Sequence, residues 1–122
     1  MRETNTKGRS LAFLTSTLKL LVLAMVAGAP KHGYTVLKEM NALVGDLIGL
    51  REGSLYPILH RLEKNGCLKS EVSVIAPGRH RRYYEITPKG REALRSKKAQ
   101  WADIVRAINA ITAGVSARVP GA

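Results

Sequence analysis

The stretch that decides the fold is Ser54–Gly66, with the sequence SLYPILHRLEKNG. Its apolar residues recur at the i, i+3, i+4 and i+7 spacing that lines one face of an α-helix. They are Leu55, Ile58, Leu59 and Leu62. The remaining face carries Tyr56, Pro57, His60, Arg61 and Lys64. The pattern therefore predicts a short helix with an apolar side for the core and a basic, aromatic side for solvent or a partner.

Both ends of this helix carry sequence signals. Ser54 is the expected N-cap, because its hydroxyl can accept a hydrogen bond from a free N–H of the first turn. Pro57 falls within that predicted turn, where a missing N–H costs little. Gly66 is the expected left-handed stop.

Cys67, the single cysteine, has no internal disulfide partner, which favours a reducing compartment. We expect it to be a buried small residue rather than a nucleophile.

Size and charge favour one domain with an anionic partner. The 122 residues include 20 Lys and Arg against 9 Asp and Glu, with a formal net charge of +11 and a pI near 10.3. Nucleic acid is the first candidate, and a soluble protein that is merely basic is the alternative. His32, His60 and His80 lie far apart with no metal-ligand spacing, and no phosphate loop or nucleophile elbow is present. We therefore expect no enzyme, no metal and no cofactor.

The N-terminal segment begins with polar and basic residues and continues into an apolar run. This pattern predicts a flexible basic arm over residues 1–14 and a buried helix from about Thr15 to Ala27. Gly28 and Pro30 are expected to end that helix. The same stretch resembles a secretory signal, which leaves export as an alternative. Lys19 interrupts its apolar run, and the uncharged part is shorter than the roughly 20 residues that span a bilayer.

A second helix is predicted over Gly33–Met40, followed by a connector over Asn41–Gly53 that contains three glycines. Together with the helix at Ser54, this is the order of a helix-turn-helix. The connector also holds apolar residues that we expect to anchor it to the core. They are Leu43, Val44, Leu47, Ile48 and Leu50.

After Gly66 the apolar period changes to two, which predicts a β-hairpin. Its turn is Ala76-Pro77-Gly78, with Pro and Gly placed for type II geometry. A basic cluster follows, made of Arg79, His80, Arg81 and Arg82. Residues 51–91 hold nine Lys and Arg against four Glu, an excess larger than a solvated hairpin needs.

The last predicted helix starts at Thr87-Pro88, an N-cap followed by Pro at the first helical position. From Pro88 to about Thr112 it would be roughly 37 Å long, which exceeds the roughly 30 Å width of the remaining body. A heptad-like apolar stripe runs along it, which predicts that two copies pair through residues 88–113. The stripe is Leu94, Trp101, Ile108 and Val115, with Ile104 and Ile111 between. Residues 114–122 are expected to be a disordered tail.

Three blocks in order resemble the PadR-like transcriptional regulators, over about Leu18 to Ile111. They are Gly33-Tyr34, Gly53–Gly66 and Arg82–Gly90. The resemblance implies an α+β fold, a winged helix-turn-helix with a long C-terminal dimerisation helix and a DNA-binding domain over residues 15–87. It further implies a bacterial, cytoplasmic, homodimeric repressor that binds a near-palindromic operator and is released by a small aromatic or cationic effector. The sequence departs from the family pattern at three places. His80 stands where Pro is frequent in the wing, and Arg51-Glu52 replaces the more usual small or Pro residues before the helix. The N-terminal segment is also longer than in the family.

Roles for individual residues follow from placing the central helix in the major groove, which admits one helix. Arg61 and His60 are expected at base edges, and Ser54, Tyr56 and Lys64 at phosphates. The full DNA-binding set is Ser54, Tyr56, Pro57, His60, Arg61, Lys64, Arg79, His80, Arg81 and Arg82. The predicted effector site or dimer seam is Leu18, Val22, Trp101 and Val105. The predicted dimer contacts are Leu94, Ile104, Ile108 and Ile111.

Three rival functions remain from the sequence. A chromosome-coating protein would bind all DNA alike, whereas a regulator should prefer its site by about 10³-fold or more. An RNA-binding module would be expected to carry an aromatic-studded sheet motif that this sequence lacks. A secreted peptide would have lost its N-terminal segment.

Overall fold

The structure, a computed structural model, describes residues 2–48 and 50–118, with side chains over residues 15–47 and 50–114. The helices and the strands are largely segregated along the chain, as the α+β prediction requires. In chain order the elements are α1 (Arg2–Gly28), β1 (Lys31–His32), α2 (Gly33–Ile48), α3 (Glu52–Lys64), β2 (Leu68–Ala76), β3 (Arg79–Ile86) and α4 (Pro88–Arg118). The winged helix-turn-helix with a long C-terminal helix is confirmed.

The core lies between α1, α2, α3 and the base of the hairpin. The apolar residues of α3 predicted from the period are all buried, at 5% exposure or less. Val22 and Leu23 of α1 and Val36 of α2 are fully buried with them. Burial of each such side chain contributes about 1.5–3 kcal/mol, so this shared core holds α3 against the other helices.

The sheet has the order β1-β3-β2, and both pairings are antiparallel. β1 pairs Lys31 with Tyr84 and His32 with Tyr83 on β3. The Lys31 Nζ also donates to both carboxylate oxygens of Glu39 at 2.7 and 3.1 Å, which ties β1 to α2. The sequence did not predict β1, because two residues are too few to show a period.

The hairpin of β2 and β3, called the wing from here on, turns as expected. Ala76 pairs with Arg79, and Gly78 has the positive φ of 74° that a type II turn places at its third residue. A register shift between Val74 and Ala76 interrupts the ladder. Only the base of the wing is buried, so the outer half projects from the body.

The start of α3 differs from the prediction. The helix begins at Glu52 with Arg51 as its N-cap, and the amides of Ser54 and Leu55 both donate to the Arg51 carbonyl at 3.0 Å. Ser54 is therefore inside the helix, so its predicted capping role is wrong. Pro57 likewise lies inside the helix rather than in its first turn.

A side chain upstream explains the early start of α3. Asn41 of α2 donates its Nδ2 to the Leu50 carbonyl at 2.7 Å and accepts from the Leu50 amide at 2.9 Å. Leu50 itself is buried. Because these contacts hold the chain at Leu50, the backbone enters α3 immediately afterwards.

The end of α3 confirms the predicted stop. The amide of Cys67 donates to the Leu62 carbonyl at 2.8 Å and that of Gly66 to the Glu63 carbonyl at 3.0 Å. Gly66 has a φ of 82°. These two bonds and the left-handed glycine form a Schellman motif. Cys67 is buried beside it, as expected of a small apolar residue.

The predicted connector after Met40 is wrong, because α2 continues to Ile48. Val36, Met40 and Val44 keep one face of the helix against the core, and one internal glycine costs only about 1 kcal/mol. Leu43 and Leu47 point away from the core and are 78% and 86% exposed, so they do not anchor the segment. The side chain of Ile48 lies outside the described residues.

The two terminal helices are longer than predicted. α1 begins at Arg2 rather than near Thr15, so residues 2–14 of the segment expected as a flexible arm are helical. α4 continues to Arg118, past the predicted end near Thr112, so the predicted disordered tail is wrong for residues 114–118. Residues 119–122 and the side chain of Val115 lie outside the described residues. None of the helices in the described part of the chain has both the length and the apolar character needed to cross a membrane.

The start of α4 confirms its predicted cap. The Thr87 Oγ1 accepts from the Gly90 amide at 3.0 Å and donates to the Gly66 carbonyl at 2.6 Å. The same threonine therefore caps α4 and joins it to the end of α3. This joint sets the direction in which α4 leaves the body.

Candidate nucleic-acid interface

One face of α3 is open to solvent along its whole length. All residues predicted for its DNA-binding side are exposed: Ser54, Tyr56, Pro57, His60, Arg61 and Lys64. With about 100° of rotation per residue, Pro57, His60 and Lys64 lie opposite the buried stripe. The α3 face therefore presents cationic and aromatic groups where a major groove can receive them.

Arg61 and Tyr56 lie at opposite edges of this face. Arg61 lines a groove with Thr15 and Leu18 of α1, together with Ser54 and neighbouring residues of α3. Tyr56 lies on the side of the wing. The face is thus bounded by α1 on one side and the wing on the other.

The second basic surface is strand β3 of the wing. Arg79, His80 and Arg82 are exposed and Arg81 is half-buried. Among the described residues, Lys69 and Glu85 form a loose ion pair of 3.7 Å near the base of the wing. The positive charge on β3 is thus exposed beside α3.

One hydrogen bond joins the wing to α3, and a second one within the wing extends it to Arg82. The Ser70 hydroxyl donates to a Glu63 carboxylate oxygen at 2.5 Å, and the Arg82 guanidinium donates to the Ser70 hydroxyl at 2.9 Å. Hydrogen bonds to charged groups are stronger than neutral ones. This chain of contacts fixes the separation between the base of the wing and the end of α3.

The wing also contacts the start of α2. The guanidinium carbon of Arg81 lies 5.0 Å from the centre of the Tyr34 ring, within cation–π range. Tyr83 meets His32 edge to face, with ring centres 4.8 Å apart. The two contacts hold neighbouring side chains of β3 against the beginning of the helix-turn-helix.

A cleft of about 250 Å³ opens where α2, α3 and the wing meet. Its lining consists of Gly33, Tyr34, Tyr56, His80, Arg81 and Arg82. A Cβ on Gly33 would come within 2.9 Å of the Tyr56 ring, so the absence of a side chain there makes room for that ring. The cleft therefore joins the two basic surfaces into one.

The environment raises the pKa of two tyrosine hydroxyls above their ordinary value of 10.0. For Tyr56 the main cause is partial burial, with a smaller contribution from Glu52 and an opposing one from Arg81. For Tyr84 burial again dominates, Glu63 adds to it and Arg82 opposes it. A phenol of ordinary pKa is already protonated at neutral pH and the raised pKa keeps it so, which lets Tyr56 donate a hydrogen bond to an anion.

The residues predicted for dimerisation and effector binding fall into two groups. Trp101, Ile104, Val105, Ile108 and Ile111 of α4 are all exposed in the single chain, from 37% for Val105 to 65% for Ile111. Leu94 instead packs against the chain's own core. The exposed group therefore forms an unpaired apolar face on the distal part of α4.

The predicted neighbours of Trp101 are different in the structure. Leu18 and Val22 are buried in the core, because α1 turns them towards the interior. Trp101 instead borders a groove of about 180 Å³ between α1 and α4. The groove is lined by Ser16, Thr17, Leu20, Lys97, Gln100, Trp101 and Ile104.

Comparison with known families identifies the chain. Residues 22–96 match the model of the transcriptional regulator PadR-like family, which spans the helix-turn-helix, the wing and the start of α4. This chain belongs to the PadR-like family. Members of this family are DNA-binding regulators of transcription rather than enzymes. Within the described residues, no group of three or more His, Cys, Asp or Glu is placed to hold a metal ion.

Known PadR-like and related proteins match most of the chain. The transcriptional regulator Rv3488 of Mycobacterium tuberculosis is 36% identical over 98 residues, covering 79% of this chain and 86% of that protein. A PadR-like transcription factor from Bacteroides fragilis is 26% identical with a TM-score of 0.72, covering 88% and 98%. A PadR family regulator from Eggerthella lenta is 29% identical with a TM-score of 0.69, covering 91% and 95%.

Three residues of the interface were given no role from the sequence. Tyr34, Glu63 and Ser70 each help to place a wing arginine, Tyr34 through its ring and the other two through hydrogen bonds. The Gly33-Tyr34 pair was a signal for Tyr34. Glu63 and Ser70 carried none, since charged and hydroxyl residues at helix ends and strand starts are common.

Proposed function

We propose that this PadR-like chain is a sequence-specific, homodimeric repressor that acts in the cytoplasm and releases its operator when a small ligand binds. The observation that carries the proposal is the exposed cationic face of α3 beside the cationic strand β3. Exposed positive charges that cluster on a rigid helix suit the recognition of a regular anionic polymer such as DNA.

The α3 face is assigned to the major groove of DNA. Arg61 and His60 read base edges, while Ser54, Tyr56 and Lys64 contact the phosphates and set the register. The wing residues Arg79–Arg82 follow the flanking backbone or enter the minor groove. Phosphate contacts make the affinity fall with salt, by about 0.9 in log K per neutralised phosphate per tenfold increase in salt.

Dimerisation is assigned to the unpaired apolar face of α4. A 31-residue helix is about 46 Å long, and beyond Ile104 its described side chains are exposed up to residue 113. A second copy would cover Trp101, Ile104, Ile108 and Ile111. Two-fold symmetry then places two half-sites about 10 base pairs apart, or a multiple of that.

The ligand is assigned to the groove beside Trp101 between α1 and α4. An exposed indole ring attracts planar and cationic molecules through its face. Because α1 also packs against α3, a ligand that moves α1 relative to α4 would change the separation of the two α3 faces in the dimer. A small aromatic or cationic compound is therefore the proposed effector class.

The test is selection of DNA fragments from the organism's own genome, followed by affinity measurements on the selected operator and on random duplex. The regulator should prefer its operator by at least about 10³-fold. Arg61→Ala should weaken operator binding by about 1–3 kcal/mol and relax one base preference. Arg81→Ala should weaken both DNAs alike and reduce the salt slope by about 0.9.

Lys98→Ala, which removes one exposed charge from α4, is the matched control and should change neither preference. Equal affinity of the unaltered protein for operator and random DNA would instead indicate a chromosome-coating protein. Equal losses on both DNAs for Arg61→Ala and Arg81→Ala would show that the two roles are wrongly assigned.

A further inference from the structure

Residues that line the cleft between α2, α3 and the wing are assigned above to the DNA backbone in general, but the cleft itself has been given no particular ligand. Its lining brings together three basic side chains, His80, Arg81 and Arg82, and the rings of Tyr34 and Tyr56. No carboxylate is among the lining residues. A cavity with this composition suits a single compact anion rather than a base or an apolar group.

Groove geometry supplies the anion. One sugar-phosphate backbone separates a major groove from the adjacent minor groove. If α3 occupies the major groove and the wing the minor groove, that backbone must cross the surface between them. The cleft is the recess in this surface, since it is lined from both α3 and β3.

We propose that this cleft holds one phosphate of the DNA backbone, bound by the Tyr56 hydroxyl and the Arg81 guanidinium, with Tyr34 as the positioning residue for Arg81. The proposal rests on the proposed DNA-binding function and adds to it a defined phosphate in each half-site. It also gives Gly33 a role, because a side chain there would displace the Tyr56 ring.

The residues of the cleft have distinct parts. The Tyr34 ring lies under the Arg81 guanidinium, 5.0 Å away, and so restricts where Arg81 can point. Arg82 is already hydrogen-bonded to Ser70. Arg81 is therefore the arginine that we assign to the anion in the cleft. The hydroxyl of Tyr56 remains protonated at neutral pH, so it can donate to a phosphate oxygen.

The experiment replaces each phosphate of one half-site of the selected operator, in turn, by an uncharged methylphosphonate. For the unaltered protein, one replacement between the major-groove bases and the adjacent minor groove should lower the affinity by about tenfold, the loss expected for a hydrogen bond to a charged oxygen. Tyr56→Phe should lower the affinity for unmodified operator by a similar factor. At that one phosphate, and only there, Tyr56→Phe should be insensitive to the replacement.

Tyr34 separates a positioning role from a direct one. Tyr34→Phe keeps the ring under Arg81 and should bind operator like the unaltered protein. Tyr34→Ala should instead behave like Tyr56→Phe, with lower affinity for operator and no response to methylphosphonate at that one phosphate. Tyr83→Phe is the matched control, because Tyr83 is an exposed tyrosine on β3, the strand of Arg81, and it packs on His32 outside the cleft. Thermal unfolding of each variant, with unchanged midpoints, ensures that the losses reflect binding.

Other outcomes would overturn the proposal. If methylphosphonates weaken Tyr56→Phe and the unaltered protein equally at every position, the cleft does not hold a backbone phosphate, although operator preference would still support the proposed function. If the unaltered protein binds operator and random duplex with equal affinity, the proposed function itself is refuted.

Discussion

At the residue scale, close approaches of the backbone decide which positions tolerate a side chain. Gly90 is the tightest case, because a Cβ there would lie 2.1 Å from the Cys67 carbonyl oxygen and 2.7 Å from Ile86. This contact brings the first turn of α4 against the end of α3 and the base of the wing. Replacing the glycine must move one of these elements.

Gly90→Ala should therefore lower the free energy of unfolding by about 3 kcal/mol, the upper part of the range for overpacked sites. The measurement is urea denaturation followed by circular dichroism. Gly45→Ala is the control, because a Cβ at Gly45 would meet Asn41 at an ordinary 3.6 Å. Alanine there should raise the free energy of unfolding by about 1 kcal/mol through its higher helix propensity. An unchanged midpoint for Gly90→Ala would mean that α4 can shift without cost.

At the element scale, helices of this chain depend on contacts outside their own sequence. α3 starts at Glu52 because Asn41 holds Leu50 by two hydrogen bonds. α2 continues past Met40 because Val44 still faces the core. α1 and α4 pack together and form the groove beside Trp101.

The groove between α1 and α4 carries a prediction of its own. Planar cations or phenolic acids should quench the fluorescence of Trp101, the single tryptophan, in a saturable manner. Ile104→Ala changes the groove and should weaken the apparent affinity, whereas Ile111→Ala, further along the same helix, should not. Quenching no different from that of free N-acetyltryptophanamide across a broad panel would contradict ligand binding there.

At the scale of the whole molecule, α4 leaves a row of apolar side chains exposed in the single chain. Trp101, Ile104, Ile108 and Ile111 are each more than 40% exposed, and they follow one another at heptad-like spacing. Contiguous exposed apolar surface of this kind marks an interaction site. A pair of chains would also present two α3 faces at one fixed separation.

Ile108→Glu should convert the dimer to a folded monomer, because a charge at the centre of the apolar face would be buried without a partner. Sedimentation velocity would show the halved mass, and circular dichroism would show that the helices persist. Operator affinity should fall steeply, since each monomer contacts one half-site. Asn109→Glu adds the same charge at the neighbouring exposed position and should leave the mass unchanged. A monomeric unaltered protein at high concentration with operator present would contradict the paired arrangement.

Much of the fold was predictable because local patterns and tertiary contacts agree. The buried stripe of α3, its stop at Gly66, the turn at Gly78 and the cap at Thr87 all follow from short-range chemistry. The exposed cationic face was predictable for the same reason, since a helix with one apolar side must turn its other side outward. The errors fall where a distant residue decides, as at Ser54, Leu43 and Leu47.

The sequence by itself determined the order of the four helices and the two wing strands, the apolar and cationic sides of α3, and the surplus of positive charge on the wing, because each is set by residues a few positions apart. Only the tertiary structure decided the strand β1, the true start of α3, the neighbours of Trp101, and the cleft of Tyr34, Tyr56 and Arg81. These features join residues far apart in the chain, and the period of a sequence carries no information about which distant side chains will meet.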